Sequence, residues 1–109
     1  MDLERRIEKA KKESFGRNCL GTAFFISSVF SRDGYFNIDS AYNKVLKYLV
    51  QLRRANIGSL IVLHKLDGKN GLNVAFHAGV ITSLRPIRIT HRDGLNGKLT
   101  AECPKYAKI

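Results

Sequence analysis

Three side chains in this sequence have the chemistry of a nucleophile, a base and an orienting group: Cys19, His77 and His91. Cys19 follows Asn18, a residue type favoured at the N-cap of a helix. A cysteine so placed lies among free backbone N–H groups at the positive end of a helix dipole, which favours thiolate over thiol. A sulfur nucleophile also needs a base. His77 lies in Phe76-His77-Ala78-Gly79-Val80, a strand-like run whose small residues allow close approach to the backbone. His91 lies in Thr90-His91-Arg92-Asp93-Gly94, at the end of the next run. If the two imidazoles share a face, His91 holds one nitrogen of His77 and the other faces the thiol. That is the nucleophile, base and orienter order of a catalytic triad. Taken singly, each of the three is more simply read as a packed or surface residue.

The elements that must position these groups are legible in the periodicity. Residues 2–13 read as a charged helix with a narrow stripe of Leu3, Ile7 and Ala10. Residues 19–30 read as a second helix, apolar on most sides, with a buried strand as the alternative. Residues 41–54 read as a third helix, with Ala41, Tyr42, Val45, Leu46, Leu49 and Leu52 close to the i, i+3, i+4, i+7 pattern. Beyond Gly58 the texture turns β-rich: strands over 59–66, 74–83, 87–91 and 98–102, with Asp67-Gly68-Lys69-Asn70-Gly71 as a hairpin loop. Helices followed by an antiparallel meander predict an α+β domain spanning 1–109, its helices packed on a small sheet. The face shared by the histidines hinges on the second hairpin. A three-residue loop at 83–85 pairs Thr82 with Pro86 and sets His77 opposite His91. A two- or four-residue loop separates them, because a one-residue slip flips every side chain.

In their local context these residues resemble the NlpC-like, papain-fold cysteine peptidases. Asn18-Cys19-Leu20-Gly21-Thr22-Ala23 is similar to that family's Asp-Cys-Ser-Gly-Leu block. Ile57-Gly58-Ser59-Leu60 resembles its Pro-Gly-Asp-Leu strand, His77-Ala78-Gly79-Val80-Ile81 its His-Val-Gly-Ile-Tyr block, and His91 falls where it places a third polar residue. The resemblance covers about residues 15–102. It implies a compact papain-like fold in which Cys19 is the nucleophile, His77 the general base and acid, and His91 the orienter. It also implies an oxyanion site that includes the Cys19 backbone N–H, and cleavage or transfer of an amide-type acyl group through a thioester. Relatives commonly cut acidic peptides of the bacterial cell wall. The chain departs from the pattern at Ser59, where aspartate is common, and at Glu13-Ser14-Phe15-Gly16-Arg17, which lacks the upstream hydroxyl aromatic. Arg88 and Arg92 flank His91 and are candidates for holding a substrate carboxylate by paired hydrogen bonds. Asn18 is a further candidate contact, although its type suits a cap, as does that of Thr22.

Composition sets the limits. The 109 residues carry 19 Lys and Arg against 9 Asp and Glu, a net charge of +10. Such a surface attracts polyanions or acidic substrates. No apolar run approaches the ~18 residues of a membrane span, and no apolar signal core follows Met1, so a cytoplasmic location without membrane insertion is expected. Two cysteines, Cys19 and Cys103, are too few for a thiolate zinc site, and the histidines lack metal-ligand spacing, so neither metal nor cofactor is expected. His64 reads as structural. The alternative to an enzyme acting on a peptide or amide substrate is a basic nucleic-acid or polyanion-binding module. A strand-face binder of that kind needs aromatics among its basic residues, and the strands offer only Phe76. A papain-like domain that has lost its activity is the third reading.

Overall fold

A computed structural model describes residues 2–37, 45–66 and 73–103 of the chain, with the side chains of 64–66 and 73–76 left out of the description. Two helices pack against a four-stranded antiparallel sheet, an α+β fold. Helix α1 is Leu3–Lys12 and helix α2 is Cys19–Ile26. The strands β1 (Leu60–Leu66), β2 (Asn73–Leu84), β3 (Ile87–Arg92) and β4 (Leu99–Glu102) run in the order β1-β2-β3-β4.

Helix α2 is the centre of the molecule. All eight of its residues are buried, as expected of a helix with no polar face. Leu20, Phe24, Phe25 and Ile26 form the core with Ala10 of α1 and Ala78 and Val80 of β2. Phe30 and Phe36 close over Phe24, with ring centroids 5.1 and 5.3 Å away. The expected helix over 19–30 is therefore four residues too long. Ser28, at φ 69°, turns the chain into the left-handed conformation that ends helices, and the N–H of Phe30 folds back onto the carbonyl of Phe24. Asn18 caps α2 as expected, its Oδ1 accepting from the N–H of Gly21 at 2.9 Å.

The third helix is a correction. Over its described part the chain forms only a 3-10 turn at Leu46–Tyr48; residues 41–44 lie outside the described set, as does the hairpin loop at 67–71. Of the described part of the stripe that suggested a helix, Val45 is buried and Leu46 packs against the core, whereas Leu49 and Leu52 are exposed. An amphipathic helix draws most of its stability from packing its apolar face, and here the core receives Val45 and Leu46 while Leu49 and Leu52 face solvent.

Helices and sheet are tied by one charged residue. Arg92 ends β3 and is fully buried. Its Nε donates to Thr22 Oγ1 at 2.7 Å, one terminal nitrogen to Ser14 Oγ and the Gly97 carbonyl, and the other to the carbonyls of Ala10 and Glu13 and to Asp33 Oδ2. Truncation strands a buried carboxylate and a row of carbonyls. Arg92→Ala is expected to cost about 3–5 kcal/mol in urea unfolding, and Arg92→Lys to recover only part, because an ammonium cannot span the same acceptors.

Candidate active site

The second hairpin decides whether the two histidines meet. Its connection is Arg85-Pro86, with Leu84 paired to Ile87 and Ser83 to Arg88. A two-residue connection alone separates the imidazoles. The register then shifts between Ile81 and Ser83, so that Ile81 pairs with Ile89 and Val80 with Thr90. The extra residue, Thr82, is a bulge that restores the parity. His77 and His91 thus share a face through a route other than the three-residue loop, and they sit diagonally. Gly79 lies between Ile89 and His91: a Cβ there would stand 2.5 Å from Ile89 Cγ2 and 3.1 Å from His91 Cβ.

His77 Nε2 is 2.9 Å from His91 Nδ1, with the rings edge to face and their centroids 4.9 Å apart. Behind His91, Nε2 lies 3.3 Å from Glu102 Oε2 and 3.4 Å from Thr100 Oγ1. The carboxylate favours the His91 tautomer protonated at Nε2. His91 Nδ1 is then an acceptor, His77 Nε2 carries the shared proton, and His77 Nδ1 keeps its lone pair. Glu102 and Thr100 escaped the sequence reading. The signal was the two-residue alternation of the last strand, which puts both on one face.

Cys19 is the first residue of α2. Its thiol meets the backbone N–H groups of Ala78, Leu20 and Cys19 itself. Ala78 and Val80 turn toward α2, so alternation turns His77 and Gly79 to the other face. The sulfur therefore meets the peptide that joins His77 to Ala78, and the imidazole leaves the strand on the side away from α2. Burial pushes the Cys19 thiol up from its ordinary value of 9.0, and the three N–H groups offset this only in part. The helix-terminus effect expected to favour thiolate is present but outweighed. His77 is pushed below its ordinary 6.5, first by burial and then by His91. At neutral pH the pair rests as thiol and neutral imidazole.

The expected substrate contacts are corrected. Arg92 is spent inside the fold and cannot hold a substrate carboxylate. Arg88 is exposed near the hairpin turn, and with an odd number of steps between them it faces away from the His91 ring. Asn18 is buried, its amide locked to Gly21 and to both backbone groups of Phe36, and it makes a cap rather than a contact surface. Cys103 is free and exposed on the far side of β4 in sequence; the side chain of His64 lies outside the described set. Among the described residues no group of three or more His, Cys, Asp and Glu could hold a metal ion, and no helix is long and apolar enough to cross a membrane. Comparison of the chain with protein-family models, curated proteins and solved structures finds no match.

Two outcomes follow from the titrations. In the native protein iodoacetamide is expected to label exposed Cys103 before Cys19 at pH 8, with the Cys19 rate still climbing above pH 9.0, read by peptide mass mapping. For His77, the unfolded chain binds more protons than the folded one between the lowered folded value and 6.5. Its contribution to stability is therefore complete above pH 6.5 and declines as the pH falls through that window. Urea unfolding across this range should show the decline, and His77→Ala should reduce its slope.

Proposed function

We propose that the chain is a cysteine hydrolase or acyltransferase of the NlpC-like kind, acting through a thioester on an amide substrate, with Cys19 as nucleophile, His77 as base and His91 as its orienter. The observation that carries the reading is the 2.9 Å imidazole pair, set beside the peptide group that the Cys19 thiol touches. A part-buried His–His contact backed by a carboxylate leaves one bare ring nitrogen, the form in which an imidazole serves as a general base. The net charge of +10 favours an acidic acyl donor.

In this reading His77 Nδ1 takes the thiol proton as the sulfur attacks the acyl carbon. The oxyanion that forms is held by the backbone N–H of Cys19; loss of one such donor typically costs ~10²–10³ in rate. The imidazolium returns its proton to the leaving amine as the C–N bond breaks, and a thioester remains. His77 then deprotonates water, or an acceptor amine, which attacks the thioester carbon and releases the thiol. The resting pair is neutral, so proton transfer accompanies attack instead of preceding it.

The test is an activated ester of an N-acetylated acidic dipeptide, followed by intact-protein mass. One acyl group is expected on Cys19, absent in Cys19→Ser, retained in Cys103→Ser, and formed at least ~10²-fold more slowly in His77→Ala. The pH profile of kcat/KM is expected to have its acid limb below 6.5 and its alkaline limb above 9.0. Acylation of Cys103 alone, or a Cys19 rate indifferent to His77, would remove the reading.

A further inference from the structure

A second feature lies on the other side of α1, away from the histidine pair. A cleft of about 970 Å³ runs between the polar face of α1 and the segments that flank α2, and every residue lining it is charged. Its carboxylates are already matched. Glu13 holds Arg17 at 2.6 Å, Glu8 holds Lys11 at 3.4 Å, and Asp33 is 95% buried between Arg92 and Arg17. Arg5, Lys9, Lys12 and Arg32 also line the cleft, and among the described residues none of the four forms an ion pair. Four uncompensated cations thus face one concavity, on a chain that is +10 overall.

We propose that this cleft is a binding site for the phosphate backbone of single-stranded nucleic acid. Three observations select that ligand among polyanions. Arg5, Lys9 and Lys12 follow one face of α1 at spacings of four and three, so their Cα atoms advance by about 10 Å, the axial length of about three nucleotides of a stacked strand. The lining has no apolar side chain, which disfavours a lipid surface, where binding needs apolar insertion. Two large aromatics adjoin the cleft residues in the chain: Phe15 is 86% exposed, its carbonyl accepting from Arg17, and Tyr35 is 62% exposed, two residues from Asp33. Single-strand sites combine a cationic groove with exposed rings on which bases stack. Among the described side chains of the sheet there is no Phe, Tyr or Trp, and the helical side supplies such rings. The site does not depend on the cysteine chemistry, and either can fail alone.

Fluorescence anisotropy of the full chain with a labelled single-stranded oligonucleotide of mixed sequence, across a salt series, tests the site. The variant is Arg5→Gln/Lys9→Gln/Arg32→Gln, whose thermal melting is expected to be unchanged because no ion pair is lost. Its affinity is expected to fall at least tenfold, and its salt slope to shrink by about 0.7 per cation removed, about 2 in all. Phe15→Ala should weaken binding several-fold while leaving the salt slope in place. Unchanged affinity in the triple variant overturns the site. Displacement of the oligonucleotide by polyglutamate as readily as by unlabelled strand, or equally tight binding to anionic vesicles, overturns nucleic acid as its ligand. Acylation of Cys19 is measured in the same triple variant; its retention alongside lost binding separates the two functions.

Discussion

Arg92 is the constraint on which the rest depends. A guanidinium with no solvent exposure must find acceptors for five N–H groups inside the protein, and these acceptors come from four separate stretches of chain. Ala10 and Glu13 supply carbonyls at the end of α1, where backbone acceptors lack helical partners. Thr22 supplies a hydroxyl from α2, Asp33 a carboxylate from the segment after it, and Gly97 a carbonyl from the turn after β3. Asp33 is drawn into the same knot by Thr22 Oγ1 at 2.6 Å and by the N–H of Gly34. None of these contacts holds without the others, because each buried polar group relies on a partner from a different element. The knot sets where α1, α2 and the sheet meet.

The consequence reaches the chemistry. His91 precedes Arg92, so the strand that anchors inward through one residue presents its imidazole outward through the other. The same knot holds the segment behind Cys19: Asn18 donates its backbone N–H to the Gly34 carbonyl, and Gly21 stands so close to that carbonyl that a Cβ would overlap it. Asn96 closes the arrangement from the turn after β3, accepting from the N–H of Gly16 at 2.7 Å and donating its own N–H to the Arg17 carbonyl. The start of α2 and the end of β3 are therefore referenced to one frame. A thiol on the first and an imidazole beside the second keep their relation through packing and not through any bond between them.

That frame also explains why the site rests uncharged. The peptide between His77 and Ala78 lies where α2 covers the sheet, and burial there penalises both thiolate and imidazolium. The helix terminus works in the opposite direction, and its N–H groups offset burial without overcoming it. Charge is instead concentrated on the outer side of α1, where matched carboxylates leave a row of cations lining a cleft. The molecule separates a part-buried face that rests uncharged from a cationic face suited to long-range attraction.

The local chemistry was legible in the residues themselves. Asn18 as a cap, α1, the four strands and the burial of α2 all follow from propensity and period, because these are short-range preferences that each segment expresses alone. The candidates Cys19, His77 and His91 were visible as residue types in order. Their mutual placement was not, since it turned on a bulge at Thr82 that offsets a two-residue connection, and a bulge leaves no mark in a hydrophobic pattern. Arg92 looked like a surface cation because sequence gives charge but not the acceptors that gather around it. The segment 41–54 carried the clearest helical period and its described part forms a single turn, because amphipathicity states which face wants burial and only the tertiary structure decides how much surface is there to receive it.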